Sequence, residues 1–333
     1  MYLELFASLL IHILRFSQSC LNLSNIYLKN IKAILCEGEK LTMVIDAEAL
    51  VIRKRLEQSL KELPPLPVAI SKVLDETNKL EPDIHVIDEI ISGDQALASK
   101  VLRIVNSAYY GLSRQVTSVG QAVMILGLQQ VRTITLSVGS IAAFAGRGAI
   151  DAEHSRRFWE HSFATSAACN ILGKRLGFDR KALETMSTIG ILHDIGRMFF
   201  FCNFRPTYEK LHTKALKEGK SFEAVELGFL GDTHAGIGAM ITEKWGLPDE
   251  LVQTIKQHEG PFSDSTDKMV AVLALADWLN KPLYYADGST TPVIDFDPLL
   301  MQVLGLNDSV LEQIRVEVRN KVEEASQLYG MVA

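Results

Sequence analysis

The sequence lacks the signatures of several large protein classes. Its cysteines, Cys20, Cys36, Cys169 and Cys202, form no CxxC pair, which argues against a disulfide framework and against a thiolate zinc site. An excess of positive charge is also missing, because 40 aspartates and glutamates outnumber 34 lysines and arginines and leave a formal charge of −6. This balance argues against a nucleic-acid-binding protein. We also find no repeat and no low-complexity tract, and we expect a globular protein of the reducing cytoplasm.

A long hydrophobic run is also missing. Residues 1–16 are apolar, but Glu4 and His12 interrupt them, and the run is too short to span a bilayer. It has neither a basic start nor a small-residue cleavage site, so it is a poor signal peptide. We predict no membrane span. Residues 1–42 are interpreted either as an extension outside the folded domain, even an upstream start-site artefact, or as an amphipathic helix that docks on the body or on a membrane.

Helical periodicity dominates the rest of the chain, beginning at Met43, and strand alternation is scarce. Apolar residues recur at spacings of three and four, and glycines and prolines mark the ends of the helical segments. We therefore predict an all-α fold, a multi-helix bundle with an N-terminal helical subdomain. The predicted helices cover residues 46–61, 68–78, 86–92, 95–107, 118–126, 129–144, 153–176, 180–201, 204–219, 221–228, 233–245, 248–258, 266–280 and 309–327.

A change in composition near Gly146-Arg147-Gly148 is typical of a joint between two helical parts. We predict an N-terminal helical subdomain over residues 43–145 and a second helical subdomain over 146–333 that includes the candidate metal site and the C-terminal helix. That last helix, residues 309–327, is charged and amphipathic. It can pack on its own chain or pair with a second copy to form a homodimer, and the sequence does not choose between these.

The sharpest chemical signal is polar residues inside apolar helical runs. His193-Asp194 lies within IGILHDIGRMFFF, and Asp277 lies within VAVLALADWL. An ionised carboxylate in such a run is costly unless it is paired or binds a cation. Three further histidines, His161, His234 and His258, accompany them. Taken singly, each could be a hydrogen-bonded core residue or a helix-end residue.

As a set, these six residues indicate a site for one or two divalent metal ions. Imidazole and carboxylate ligands suit Fe, Mn, Zn, Ni or Mg rather than a soft thiolate site. Adjacent residues of a helix point about 100° apart, so His193 and Asp194 can share an ion more easily if the turn between them is distorted. Arg197, one turn beyond Asp194, could offset developing charge on a substrate or could be an ordinary surface arginine.

The order His161, His193-Asp194, His234, His258, Asp277 resembles the metal-ligand order of the HD superfamily of metal-dependent phosphohydrolases. With His234 and His258 included, it is similar to the binuclear HD-GYP branch, which cleaves cyclic di-GMP. The N-terminal part resembles the HDOD family, the HD-related output domain of bacterial signalling proteins. The matching segments are LPPLP at 63–67, IISGDQAL at 90–97, LRIVNSAYYG at 102–111 and QAVMILG at 121–127.

The resemblance to the HDOD family implies a regulatory or scaffolding module that acts through a signalling protein partner. Many family members have lost the metal ligands, whereas this sequence keeps them. It departs from the HD-GYP pattern in three places. QHEGPF stands at 257–262 where that pattern has its Gly-Tyr-Pro signature, and Arg157 stands one turn before His161, where an acidic ligand can occur. Arg197 replaces the usual lysine after His-Asp-Ile-Gly. These departures argue against cyclic di-GMP cleavage.

Two functions follow from these patterns. The first is a regulatory interaction protein that keeps a metal ion as a structural feature, with a partner bound near residues 106–111 unless that segment is only a helix terminus with core tyrosines. The second is a metal-dependent phosphohydrolase that acts on a nucleotide or another phosphoester. In that case Asp194 and Arg197 would serve in catalysis, and His234 and His258 would hold a second ion or contact the phosphate.

Overall fold

The computed structural model describes residues 33–36, 40–43, 47–107, 110–144, 152–285, 292–294 and 296–332. Within these ranges the chain is almost entirely helical, as the sequence predicts. A short antiparallel pair precedes the first helix, with β1 (Ala33–Cys36) against β2 (Lys40–Met43). The expectation that Met43 opens the helical pattern is therefore wrong, because Met43 ends a strand. Most of the predicted N-terminal extension and the joint at 146–148 lie outside the described residues.

Six helices form the N-terminal half. They are α1 (Ala47–Lys61), α2 (Val68–Thr77), α3 (Ile84–Ser92), α4 (Gln95–Val105), α5 (Val119–Leu126) and α6 (Leu128–Phe144). Helices α2–α6 pack on one another as a first bundle. Side-chain caps set several starts, because the Asp94 carboxylate accepts the amide of Leu97 and the Ser118 hydroxyl accepts the amide of Gln121.

The remaining helices form a second bundle. They are α7 (Ala152–Arg175), α8 (Arg180–Leu192), α9 (Ile195–Glu218), α10 (Phe222–Leu230), α11 (His234–Lys244), α12 (Asp249–Gln257), α13 (Lys268–Asn280), α14 (Leu299–Leu304) and α15 (Asp308–Val332), with a 3₁₀ turn at Lys281–Tyr285. Helix α7 lies at the centre, where it packs against α8, α13 and α15. Among the described residues, no helix is both long and apolar enough to cross a membrane.

Several helices connect the two bundles. Helix α6 packs on α8, and α15 packs on α4 as well as on α7, so the C-terminal helix lies on its own chain. Helix α1 is not part of the first bundle and packs on α10, where the Arg53 guanidinium donates to the Phe229 carbonyl at 3.0 Å.

The loop after α4 is held by Asn106, which the sequence places in a candidate partner-binding segment. Its side-chain oxygen accepts the amide of Val116 at 2.7 Å, and its side-chain nitrogen donates to the carbonyl of Val116 at 2.8 Å. The hydroxyl of Tyr110 accepts a hydrogen bond from Gln130 at 2.8 Å. These contacts agree with a helix terminus that fixes its own loop.

Candidate metal centre

A break in the chain between α8 and α9 positions two of the predicted ligands. The sequence predicts one helix over residues 180–201, and this prediction is wrong, because α8 ends at Leu192 and α9 begins at Ile195. Asp194 has φ −97° and ψ 13°, outside the helical region. In a continuous helix the two side chains would diverge by about 100°. The break brings the His193 Nε2 atom and the Asp194 Oδ2 atom to 3.5 Å from each other.

All four predicted histidines are oriented in the same way. Each directs its Nδ1 atom outward to an oxygen atom and its Nε2 atom inward to a common centre. The Nδ1 contacts are His161 to the Asn280 carbonyl (3.1 Å), His193 to the Gly190 carbonyl (2.9 Å), His258 to the Ile255 carbonyl (2.6 Å) and His234 to the Glu226 carboxylate (2.6 Å). A neutral ring that donates from Nδ1 presents a lone pair at Nε2, which is the arrangement typical of metal-binding histidines.

The first group of potential ligand atoms comes from His161, His193, Asp194 and Asp277, whose atoms all lie within 4.8 Å of one another. The His161 Nε2 atom lies 3.2 Å from the His193 Nε2 atom and 3.0 Å from the Asp277 Oδ1 atom. Two neutral rings of this orientation would set lone pairs against each other and against a carboxylate. A shared cation removes that repulsion, so the donor set fits a divalent ion.

A second group consists of Asp194, His234 and His258. The Asp194 Oδ1 atom lies 2.9 Å from the His234 Nε2 atom and 3.9 Å from the His258 Nε2 atom. Among the described residues, the His258 Nε2 atom has no hydrogen-bond partner although it is buried. Because Asp194 directs one oxygen to each group, all six predicted ligands lie at one continuous centre.

Close packing of α9 on α11 brings the second group together. A Cβ atom at Gly196 would lie 2.0 Å from the His234 carbonyl oxygen and 2.4 Å from the Gly238 amide nitrogen. Only glycine permits this approach. Since Asp194 precedes α9 and His234 begins α11, the separation of these two helices sets the distance between the two side chains.

Three acidic residues and one lysine at the centre were not predicted from the sequence. The Glu259 Oε1 atom lies 3.3 Å from the His234 Nε2 atom and 3.4 Å from the His258 Nε2 atom. The Lys281 ammonium lies 3.1 Å from Glu259, 3.2 Å from Glu223 and 3.3 Å from the Asp277 Oδ2 atom. Glu226, the partner of His234 Nδ1, is buried within the apolar run FEAVELGFL. A buried acid in such a run is the signal that could have revealed it.

Arg197 is enclosed among the same side chains. Its Nη2 atom donates to the Glu223 Oε1 atom at 2.9 Å, its Nε atom lies 3.5 Å from the Asp194 Oδ2 atom, and its guanidinium lies over the ring of Phe222 at 5.3 Å. With 3% of its surface exposed, it is not the surface arginine that the sequence left open. Its contacts hold Asp194 and Glu223 in place.

The charged neighbours set the ionisation of the central residues. Burial is the largest single influence on Asp277 and Asp194, and it opposes their ionisation. Lys281 with the neighbouring histidines for Asp277, and Arg197 with the neighbouring histidines for Asp194, together outweigh it, so both carboxyl pKa values are held well below their usual range. Burial and Arg197 oppose protonation of His234, whose pKa is nevertheless raised well above its ordinary value by Glu226 and Asp194. Burial lowers the pKa of His161.

Among the described residues, the side chains of the centre are largely buried. The six predicted ligands are at most 3% exposed. The side chains of Lys281 and Glu259 are 12% exposed, and that of Glu223 is 14% exposed. These three, joined by ion pairs, form the most accessible edge that we identify among the described residues of the centre.

Comparison with known proteins agrees with the fold and with the resemblance seen in the sequence. A curated Treponema pallidum protein of unassigned function is 26% identical over 251 residues, which cover 74% of this chain and 47% of that protein. The chain thus spans about half the length of this curated relative.

Solved structures show the same architecture. A protein from Shewanella amazonensis, provisionally named a phosphohydrolase, is 27% identical with a TM-score of 0.65, and the match covers 84% of this chain and 98% of that one. An HDOD domain protein of unknown function from Geobacter sulfurreducens is 21% identical with a TM-score of 0.64, covering 86% and 98% of the two chains. The family profile described as the HDOD domain matches residues 63–261. The chain belongs to the HDOD family.

Proposed function

We propose that this chain is a regulatory signalling protein that acts through a partner protein and holds a divalent metal ion within its structure. The burial of the ligands carries this proposal. Catalysis at a metal requires that a substrate oxygen or an attacking water reach the ion. Here every predicted ligand is at most 3% exposed, and ion pairs of Lys281 with Glu223 and Glu259 cover the most accessible edge.

The first group is proposed to hold the ion through His161, His193, Asp194 and Asp277. Nitrogen and carboxylate oxygen ligands suit Fe, Mn, Zn, Ni or Mg. When bound, such an ion supplies positive charge to two buried carboxylates and links α7, the α8–α9 junction and α13. Binding of this kind adds to folding stability. The Nδ1 contacts of His161 and His193 to backbone carbonyls orient their rings for it.

The partner surface is proposed to lie on the first bundle. On α5, Met124 is 75% exposed and Ile125 is 52% exposed, and we place the contact surface at these two apolar side chains. We place this activity in the cytoplasm, where free thiols such as Cys169 and Cys202 remain reduced.

The second candidate function is a metal-dependent phosphohydrolase that acts on a nucleotide or phosphodiester. Two adjacent ligand groups that share Asp194 support it, because two-metal sites clamp the attacking and leaving oxygens of a phosphoryl transfer. The likeness to a Shewanella protein provisionally named a phosphohydrolase is further support. Against it, Arg197 is occupied by Glu223 at 2.9 Å.

One experiment separates the two functions. Purified protein is loaded with Mn²⁺, its metal content is measured, and hydrolysis is assayed on phosphomonoesters, phosphodiesters and cyclic dinucleotides, with Asp194→Ala as the comparison. We expect bound metal in the wild type, loss of that metal in the variant, and no turnover in either. Turnover that disappears in Asp194→Ala would overturn the regulatory proposal, and an absence of metal in the wild type would remove the centre itself.

A further inference from the structure

We infer that Lys281 limits the centre to a single divalent ion, because its ammonium lies where it neutralises the carboxylates that a second ion would need. The inference rests on the metal centre proposed above and concerns its stoichiometry. It assigns a role to a residue that the sequence did not single out.

The second group has most of the ligands of a metal site. Asp194, His234 and His258 each offer one atom, and Glu259 adds an oxygen 3.3 Å and 3.4 Å from the two imidazole Nε2 atoms. Judged from these side chains alone, a second ion would fit beside the first. The number of bound ions therefore depends on the charge that surrounds this group.

Lys281 supplies that charge. Its Nζ atom lies 3.1 Å from both oxygens of Glu259 and 3.2 Å from Glu223. It also lies 3.3 Å from the Asp277 Oδ2 atom, while Asp277 directs Oδ1 to the first group. One ammonium thus balances both Glu259 and the outer oxygen of Asp277. A second divalent ion at Glu259 would lie within a few ångströms of a fixed positive charge and would be repelled by it.

The fold makes this ammonium difficult to displace. Lys281 follows directly after α13, four residues beyond Asp277, and begins the 3₁₀ turn Lys281–Tyr285. The backbone carbonyl of the preceding residue, Asn280, accepts the Nδ1 proton of His161. Movement of the Lys281 backbone would therefore disturb a ligand of the first ion. Arg197 adds a second positive charge, 3.5 Å from the His234 Nε2 atom.

The test is a count of bound Mn²⁺ ions in the full chain. Wild type, Lys281→Met and Lys256→Met are each equilibrated with Mn²⁺, dialysed and analysed for metal per chain, and binding is followed by calorimetric titration. The methionine at 281 keeps the apolar stem and removes the charge. Lys256 is an exposed residue of α12, the helix that leads to His258, so its variant removes a nearby charge without touching the centre.

We expect one Mn²⁺ per chain in the wild type and in Lys256→Met, and two in Lys281→Met. Affinity for the second ion should rise on the order of a hundredfold or more when the charge is removed. Paired Mn²⁺ ions also give an exchange-coupled electron paramagnetic resonance spectrum, which a single ion cannot produce. Neither readout depends on catalytic activity.

The other outcomes overturn either the role of Lys281 or the metal centre itself. Two ions in the wild type would refute the role of Lys281 and leave the metal centre intact, and this result does not require that any variant fold. One ion in both the wild type and a folded Lys281→Met chain would also refute it. No ion in the wild type would refute the proposed centre itself.

Discussion

A methyl group at position 196 tests whether the close approach of α9 and α11 holds the centre together. In Gly196→Ala the new Cβ atom would lie 2.0 Å from the His234 carbonyl oxygen and 2.4 Å from the Gly238 amide nitrogen. Both are backbone atoms, so no side chain can rotate away. To reach a normal separation of about 3.5 Å, the two helices must move apart by roughly 1.5 Å.

This displacement has two measurable costs. Overpacking of a well-packed interior costs about 1–3 kcal/mol, and we expect the upper end here because the contact is with backbone. The displacement also separates the His234 Nε2 atom from the Asp194 Oδ1 atom, now 2.9 Å apart. Loss of a contact that orients a metal ligand typically weakens metal affinity about 10–100-fold, so we expect at least tenfold weaker binding of Mn²⁺.

The matched control is Gly228→Ala. A Cβ atom at Gly228, within α10, would have no other atom within 4 Å, so this variant should gain about 0.5–1 kcal/mol from reduced backbone freedom. Urea unfolding of the metal-free proteins and competition with a chelator for Mn²⁺ give the two quantities. Equal stability and equal affinity in the two variants would show that the contact between α9 and α11 does not position the ligands.

Three further predictions concern Arg53, His234 and Cys202. Arg53→Met removes the hydrogen bond to the Phe229 carbonyl and should lower the free energy of urea unfolding by about 1–3 kcal/mol, whereas exposed Lys54→Met should change it little. In the presence of a chelator, the His234→Asn variant should have a lower free energy of unfolding than the wild type, and the difference should be largest below about pH 6.5. This difference should shrink as the pH rises through the raised pKa of His234. A difference that grows with pH would contradict this. Burial raises the pKa of Cys202 to about 12, so little reactive thiolate is present at pH 8 in the folded chain. In a variant with Cys20→Ser and Cys36→Ser, Ellman's reagent at pH 8 should therefore react at least about a hundredfold faster after unfolding.

Much of the fold could be read from the sequence because local signals fix the helix ends. The helix predicted over residues 68–78 is Val68–Thr77, and the one predicted over 153–176 is Ala152–Arg175. Apolar periodicity with flanking breakers, such as Pro67 before the first helix and Gly177 after the second, indicates such limits. The prediction failed over 180–201, since nothing in IGILHDIGRMFFF marks a break. At the break, Asp194 contacts residues distant in sequence, such as His234 at 2.9 Å, and the local sequence carries no sign of these contacts.

The residues of the candidate site likewise include some that the sequence indicates and others that it does not. Its six predicted residues could be found because a polar group inside an apolar helix is costly and needs a partner. Lys281 and Glu223 were missed, since Lys281 lies just after the end of α13 and Glu223 lies in the first turn of α10, and each meets the centre only through tertiary packing. Their contacts, Lys281 to Asp277 at 3.3 Å and Arg197 to Glu223 at 2.9 Å, determine the charge and access of the site. Sequence patterns thus indicate a metal centre but not its enclosure.

A buried metal centre could serve a regulatory protein through its link to the first bundle. The α8 helix, which ends at the centre, also meets the first bundle, where the hydroxyl groups of Thr188 and Thr133 lie 2.8 Å apart and are both buried. A buried ion can influence a distant surface only if the ion and the surface both contact one structural element and both shift the balance between its two arrangements. Helix α8 is suited to that role, since His193 follows it directly and its outer face packs on α6. To stabilise the end of α8, the centre needs only to hold its ion.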